Sequence, residues 1–215
     1  MKVEIVSYSQ PYKFTGWNDD LATLVAYCAR VSNPSNQNNT ATIDKLLGYL
    51  IKHKHWSPFE MVSVCLEIET TRDIARQILR HRSFSFQEFS QRYADPTKEL
   101  EFVLRDARLQ DPTNRQNSVD NDDIELQRRW EDKQRSVQQA AMDAYQFAVD
   151  NGIAKEQARA VLPEGMMMSR LYMNGTLRSW IHYIELRRAN GTQREHMDIA
   201  IACAEVISKI FSIDY

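Results

Sequence analysis

The sequence predicts an α+β fold, a single domain over residues 1–215 with a mainly antiparallel sheet flanked by helices. Several long segments repeat apolar residues at helical spacing, and a few short segments alternate between apolar and polar residues. The strands do not alternate regularly with helices, as they would in a parallel sheet. With 215 residues, of which 43% are apolar, the chain can bury one sizeable core.

The first half of the chain combines short strands with short helices. Residues 2–8 alternate as a strand, and Asn18, Asp19 or Asp20 is placed to cap a helix that begins near Leu21. The same patterns predict a helix over about 42–54, a strand over 61–69, a short helix over 71–79 and a half-buried strand over 83–86.

Helices dominate the second half. A helix over about 122–150 has an apolar stripe long enough to pack against another subunit or to span the domain, and Gly152 can end it. Residues 107–121 are almost entirely polar, which predicts a loop. The other predicted elements are strands over 100–104 and 166–173 and helices over 155–162, 176–188 and 193–211, with a turn at Asn190 and Gly191.

Composition excludes several classes of protein. The net charge of −2 argues against a general nucleic-acid binder, and no apolar run approaches the length of a membrane span. Cys28, Cys65 and Cys203 form no CxxC pair, and His53 and His55 alone are weak evidence for a metal, so we expect none. The start, MKVEIVSYSQ, lacks the apolar region of a signal peptide, and we expect a cytoplasmic protein.

Residues 80–92 carry the strongest functional signal. Within thirteen residues they contain three arginines, one histidine, one carboxylate and three hydroxyls, with phenylalanines that can anchor the segment in a core. Arginines bind phosphates bidentately, so the segment suggests an anionic ligand with more than one phosphate. A solvated edge strand and a nucleic-acid surface are the alternatives. The alternating phenylalanines favour the small ligand.

This segment closely resembles the signature of flavin-dependent thymidylate synthases: Arg-His-Arg, two residues, Ser, one residue, Asn-Glu, one residue, Ser, one residue, Arg. Only Gln87 departs from it, at a position where Asn is usual. Further segments that resemble the family are Ala29–Ser32, His55–Glu60, Arg76–Gln77, Ala158–Pro163, Leu186–Arg187 and Gln193. Gly191 and Thr192 replace a His-Ala pair, so a flavin-contacting imidazole is missing from that place.

The resemblance implies a reaction and an assembly. Deoxyuridine monophosphate (dUMP) would become deoxythymidine monophosphate (dTMP), with 5,10-methylenetetrahydrofolate as carbon donor, reduced FAD as hydride source and NADPH as the reductant of FAD. It also implies a homotetramer with shared active sites, and neither a nucleic-acid nor a membrane partner. A non-catalytic nucleotide- or RNA-binding module and another flavoenzyme on a related scaffold are the alternatives.

The resemblance also implies roles for individual residues. Arg187 would be catalytic, as a fixed cation that stabilises negative charge on the uracil ring, with Arg188 as the competing neighbour. The implied flavin contacts are Ser32, His55, Ser57, Arg80, His81, Arg82, Glu88, Thr176, Arg178 and His182. The implied nucleotide contacts are Gln77, Arg80, Glu88, Ser90, Gln91, Arg92, Arg159 and Arg187. No cysteine has a context that stabilises a thiolate, so we expect hydride transfer without an enzyme–uracil covalent bond.

Overall fold

The computed structural model describes residues 1–11 and 20–211. Asp20 caps the first helix, because its side chain accepts a hydrogen bond from the Ala22 amide, whereas Asn18 and Asp19 lie outside the described residues. The elements are β1 (Lys2–Tyr8), α1 (Leu21–Ala29), α2 (Ile43–Lys52), β2 (Ser63–Thr71), α3 (Arg72–Ile78), β3 (Ser85–Glu88), α4 (Pro96–Glu99), β4 (Leu109–Gln110), β5 (Ser118–Val119), α5 (Ile124–Asp150), α6 (Lys155–Ala158), β6 (Met168–Thr176), α7 (Leu177–Arg188) and α8 (Arg194–Ser208).

A four-stranded antiparallel sheet forms the centre of the molecule, with strand order β1-β2-β6-β3. Alternate residues of β2 and β6 point into the core, so Val64, Leu66 and Ile68 are buried beside Leu171 and Met173. This alternation is what the period of a half-buried strand requires. The predicted α+β domain with an antiparallel sheet and one long helix is confirmed.

The buried face of the sheet is covered by α1, α2, α3, α7 and α8, which share one core with it. Trp180 of α7 is fully buried there, and its indole N–H donates to the Val64 carbonyl at 3.0 Å. Because the donor of this large apolar side chain is satisfied, α7 is fixed in position against β2. The C-terminal end of α7 therefore has a rigid support.

Three sequence predictions need correction. The predicted strand over 100–104 is wrong, because only an isolated bridge joins Phe102 to Met167, and from Arg170 onwards β6 pairs with residues 85–89. The loop over 107–121 contains the small hairpin β4–β5. The predicted strand over 83–86 begins only at Ser85, since the Phe84 amide bonds to the His81 carbonyl in a turn.

The long helix α5 buries only part of its apolar stripe. Tyr145 and Ala148 are buried in a second small core, whereas Trp130 is 43% and Val137 51% exposed. A stripe that continues into solvent is typical of a helix with a further packing partner. None of the helices within residues 1–11 and 20–211 combines the length and the apolar character needed to cross a bilayer.

Candidate active site

Phe84 and Phe86 pack the segment 80–92 against the core. Phe84 packs edge-on against Trp180, with ring centroids 4.8 Å apart, and lies close to β6 at Gly175. A Cβ built on Gly175 would lie 2.4 Å from Cδ1 of Phe84. Only glycine permits this approach. Gly175 therefore sets the position of Phe84, and with it the positions of Arg82 and Ser85, which flank Phe84 in sequence.

Arg187 and His81 meet within one chain. The Arg187 Nε–H donates to Nε2 of His81 at 2.9 Å, which makes Nε2 an acceptor and places the imidazole proton on Nδ1. Burial, followed by the charges of Arg187 and Arg80, lowers the pKa of His81 to about 4. His81 is therefore neutral near pH 7, and the described residues leave the terminal nitrogens of Arg187 without a hydrogen-bond partner.

A second group of side chains continues from this contact. Oε1 of Gln77 lies 3.2 Å from Nδ1 of His196, and Nε2 of Gln77 donates to Gln193 at 2.8 Å. His196 is fully buried, and its ring lies 6.2 Å from that of His81. Sequence analysis missed His196, although a histidine on the apolar stripe of α8, in line with Ile199, is a signal that could have found it.

Glu88 is held inside the chain. Its carboxylate accepts from Ser169 Oγ at 2.9 Å and lies 3.5 Å from both Arg72 Nη1 and Arg76 Nη1. Arg72 is buried, so this carboxylate compensates its charge together with Glu164, which lies 3.4 Å from Arg72 Nε. The cluster joins β3 to α3 and β6, and it gives Glu88 a structural contact besides any contact with a ligand.

The remaining nucleotide candidates follow β3. Ser90 and Arg92 line a cleft of about 480 Å³ with Tyr93, Lys155 and Glu156. Arg92 forms only a long contact, 3.8 Å, with the exposed Glu156 carboxylate. A surface ion pair of this length contributes little, so Arg92 is available to an anion.

Two further nucleotide candidates lie near this end of β3. Gln91 is buried, and its Nε2 has no hydrogen-bond partner in the described part of the chain. Arg159 follows α6 and is half-buried. The predicted nucleotide contacts therefore form two groups at opposite ends of β3, a strand that spans about 13 Å. Gln77 and Arg80 precede β3 in sequence, and Arg187 joins them through its contact with His81. Glu88 ends the strand, and Ser90, Gln91 and Arg92 follow it.

The predicted flavin contacts beyond the 80–92 segment lie near the N-terminal part of α7. Thr176 caps α7 by accepting from the Ser179 amide, Arg178 pairs with Glu60, and His182 packs edge-on against Trp56 at 4.6 Å. The Ser179 hydroxyl donates to the Ser83 carbonyl, which ties this region to the 80–92 segment. Ser57 begins the short 3₁₀ turn Ser57–Glu60 that packs against α7. Ser57, Ser32 and His55 are exposed, and no hydrogen bond within the described residues places Ser32 beside α7.

The donor set fits a flavin dinucleotide. Arg80 and Arg82 are exposed, and neither forms an ion pair with any residue that the structure describes. Unpaired guanidinium groups beside a neutral imidazole provide the bidentate donors that a pyrophosphate requires. Within the same described residues, no group of three or more His, Cys, Asp or Glu side chains could hold a metal ion.

An α+β scaffold that presents unpaired arginines around a half-buried His–Arg contact has the features of a protein that binds phosphorylated ligands. The model of the thymidylate synthase complementing protein family matches residues 15–212. The chain belongs to that family.

Similar proteins agree with this assignment. The chain is 49% identical to a probable flavin-dependent thymidylate synthase of Paramecium bursaria Chlorella virus 1, over 98% of this chain and 95% of the relative. It is 47% identical to the flavin-dependent thymidylate synthase of Synechocystis sp., over 98% and 92%. Among solved structures, the UMP/dUMP methylase PolB of Streptomyces cacaoi, bound with 5-Br dUMP, is 28% identical, with a TM-score of 0.80 over 98% of this chain and 90% of PolB.

Proposed function

We propose that this protein methylates dUMP to dTMP, with 5,10-methylenetetrahydrofolate as carbon donor and NADPH as the reductant of bound FAD. The family match and the curated relatives confirm the predicted flavin-dependent thymidylate synthase activity and its FAD cofactor. The observation that carries the proposal for the site is the contact between Arg187 and His81. It joins the residue expected at the uracil ring to the segment expected at the flavin.

FAD supplies the hydride when it is bound, and the chain supplies the charges that position the nucleotide. His81 occupies the Nε–H of Arg187, which leaves the terminal N–H groups of the guanidinium free to point at the uracil carbonyl. A cation fixed in this way stabilises negative charge on the ring without reorganising. The Nδ1–H of His81 remains a donor for a second acceptor, such as a ring carbonyl of a bound ligand.

The cysteines do not fit the role of a nucleophile. Burial raises the pKa of the Cys28, Cys65 and Cys203 thiols above the ordinary value. A thiol with a raised pKa is protonated near pH 7 and attacks poorly. This favours hydride transfer to a uracil that is not bonded to the enzyme, with Arg187 as the polarising group.

A homotetramer with shared active sites accounts for the two separated groups of nucleotide contacts. Within one chain, β3 separates the contact of Arg187 with His81 from the cleft at Ser90 and Arg92, and we expect one nucleotide to meet both groups where they come from different chains. A site between subunits brings Arg187 of one chain beside Ser90, Arg92 and Arg159 of another. The exposed part of the α5 stripe, at Trp130 and Val137, offers apolar surface for such packing.

In this assembly, Arg80 and Arg82 hold the flavin pyrophosphate. The region of Thr176, Arg178 and His182 contributes further flavin contacts. The surface near Ser32, His55 and Ser57 completes the flavin side. Gln77, Glu88 and Gln91 contact the nucleotide. NADPH and folate bind and leave as substrates. The protein works in the cytoplasm.

Two measurements test this function. Purified protein should be yellow and absorb near ~450 nm. It should bind dUMP with a dissociation constant well below that for UMP, because the curated relatives are named thymidylate synthases, and UMP is the comparison because PolB is named a UMP/dUMP methylase. Protein that holds no flavin after reconstitution with FAD would contradict the proposal. Tighter binding of UMP than of dUMP would indicate that the substrate is the ribonucleotide.

A further inference from the structure

His196 lies at the centre of a chain of side-chain hydrogen bonds behind the proposed nucleotide site. Its Nε2 lies 3.1 Å from the Tyr183 hydroxyl, and its Nδ1 lies 3.2 Å from Oε1 of Gln77. The chain continues from Gln77 to Gln193 at 2.8 Å and from Gln193 to Glu195 at 2.9 Å. It connects α7, α8 and α3 through polar groups alone.

Glu195 gives this chain a direction. Burial raises its pKa, but hydrogen bonds from its own backbone amide and from Gln193, together with Arg105 and Arg108, outweigh burial and lower the pKa below its ordinary value. Glu195 is therefore a carboxylate that only accepts hydrogen bonds, and Arg105 Nη1 lies 3.0 Å from it. Gln193 must point its NH₂ group at Glu195, which leaves its carbonyl oxygen facing Gln77.

The orientation of Gln193 determines the donor and the acceptor in each of the following hydrogen bonds. Gln77 must direct its NH₂ group to Gln193, so its carbonyl oxygen faces His196 and accepts from Nδ1–H. Nε2 of His196 is then an acceptor, which requires the Tyr183 hydroxyl to donate. Burial raises the pKa of Tyr183 and lowers that of His196 to about 3, with Arg187 and His81 as the next causes for His196. Tyr183 is therefore a protonated hydroxyl and His196 a neutral imidazole, as this series of hydrogen bonds requires.

We propose that His196 is a positioning residue that holds the side-chain amide of Gln77 as a hydrogen-bond donor towards the bound nucleotide, while the Tyr183 hydroxyl holds the imidazole in place by donating to Nε2. The carbonyl oxygen of Gln77 is occupied by His196, so only the second N–H of its amide remains for a ligand. An oxygen of the nucleotide, on its phosphate or its pyrimidine ring, is the acceptor that fits. The part of this inference that concerns dUMP rests on the proposed function.

The tautomer can be measured without any ligand. In protein with ¹⁵N-labelled histidine, long-range ¹H–¹⁵N spectra should show the His196 imidazole protonated on Nδ1 only, and unchanged from pH 8 to pH 5. His196→Asn identifies the signals by their loss. A proton on Nε2, or an imidazolium at pH 7, overturns the direction of the chain whether or not the protein binds dUMP.

Binding measurements test the consequence for the nucleotide. His196→Leu should raise the dUMP dissociation constant by about tenfold, whereas His196→Asn, whose amide can still donate to Gln77, should stay within about threefold of wild type. Cys203→Ala is the matched control, since Cys203 is buried on the same helix outside the chain of hydrogen bonds. It should lower thermal stability and leave dUMP binding unchanged.

The outcomes separate the possible failures. Equal weakening by the Leu and Asn variants, or unchanged binding by the Leu variant, overturns the positioning role. If His196→Leu does not fold, Tyr183→Phe decides instead: it should keep the Nδ1–H tautomer, which Gln77 sets, and weaken dUMP binding because the imidazole loses its second hydrogen bond. A proton on Nε2, or dUMP binding equal to that of wild type, would contradict the inference. Wild-type protein that binds no dUMP refutes the proposed function. The tautomer measurement still tests the directions of the hydrogen bonds, because it needs no ligand.

Discussion

Gly175→Ala should destabilise the protein because Phe84 occupies the space that a side chain would need. The added Cβ would lie 2.4 Å from Cδ1, 2.6 Å from Cε1 and 3.3 Å from Cγ of Phe84. These atoms belong to a rigid ring, and Trp180 and Tyr183 pack against it with centroids at 4.8 and 5.9 Å. The ring cannot turn away cheaply, so the strain of an overpacked core, about 1–3 kcal/mol, is expected.

Thermal unfolding followed by circular dichroism measures this effect. For a chain of this size about 1–3 kcal/mol corresponds to a melting temperature lower by about 2–12 °C, compared at one fixed protein concentration. Gly48→Ala is the matched control: Gly48 lies inside α2 with no atom within 4 Å of an added Cβ, so alanine should stabilise by up to about 1 kcal/mol.

A second substitution shows whether the Phe84 ring is the cause. Phe84→Leu should be less harmful in the Gly175→Ala background than in wild type, because the smaller side chain relieves the clash. The affinity for FAD and dUMP should fall in Gly175→Ala as well, since Arg82 and Ser85 move with the ring. A melting temperature within about 1 °C of wild type would contradict the packing of Phe84 on β6, because the smallest expected decrease is about 2 °C.

Further predictions concern chemistry, pH and assembly. Arg187→Ala should lose about 10²–10³-fold in turnover with the fold intact, whereas Arg188→Ala should stay within threefold of wild type. Equal losses in the two variants would contradict the assignment of Arg187 as the cation at the uracil ring. The variant with all three cysteines replaced by alanine should keep FAD and activity, and a uracil–cysteine adduct in mass spectra would contradict this. Because the pKa values of His81 and His196 fall from 6.5 to about 4 and about 3, protonation favours the unfolded chain, so stability is complete above about pH 6.5 and declines as the pH drops towards 3. The urea midpoint should accordingly be lower at pH 5 than at pH 7, and an equal midpoint argues against the burial of these rings. Mixed oligomers of Arg92→Ala and Arg187→Ala subunits should regain activity, and mixtures confirmed as hetero-oligomers that stay inactive would place both residues of one site in one chain.

Local periodicity was enough to predict most of the fold. The boundaries of β1 and α5 agree with the predictions to within two residues, since alternation and helical spacing are properties of the segments themselves. The predicted strand over 100–104 failed because pairing depends on a free neighbour, and the sheet edge beside it is taken by β3. No local pattern contains that information.

The site was predictable in its residue types and not in its geometry. The 80–92 signature identified His81 and, by resemblance, Arg187, but their contact joins residues 106 positions apart in sequence. The separation of Arg92 from Arg187 by β3 depends on the tertiary fold, and so does the close approach of Phe84 to Gly175. His196 was missed, because nothing in the sequence near it shows the partners that it meets on α3 and α7.

Release of tritium from the C5 position of dUMP tests the central claim most directly. Protein loaded with FAD, supplied with methylenetetrahydrofolate and NADPH, should release tritium from [5-³H]dUMP and form dTMP in equal amounts, and both should stop without NADPH or in Arg187→Ala. Flavin-loaded wild-type protein that binds dUMP and yet forms no dTMP under these conditions would contradict the account of a flavin-dependent thymidylate synthase.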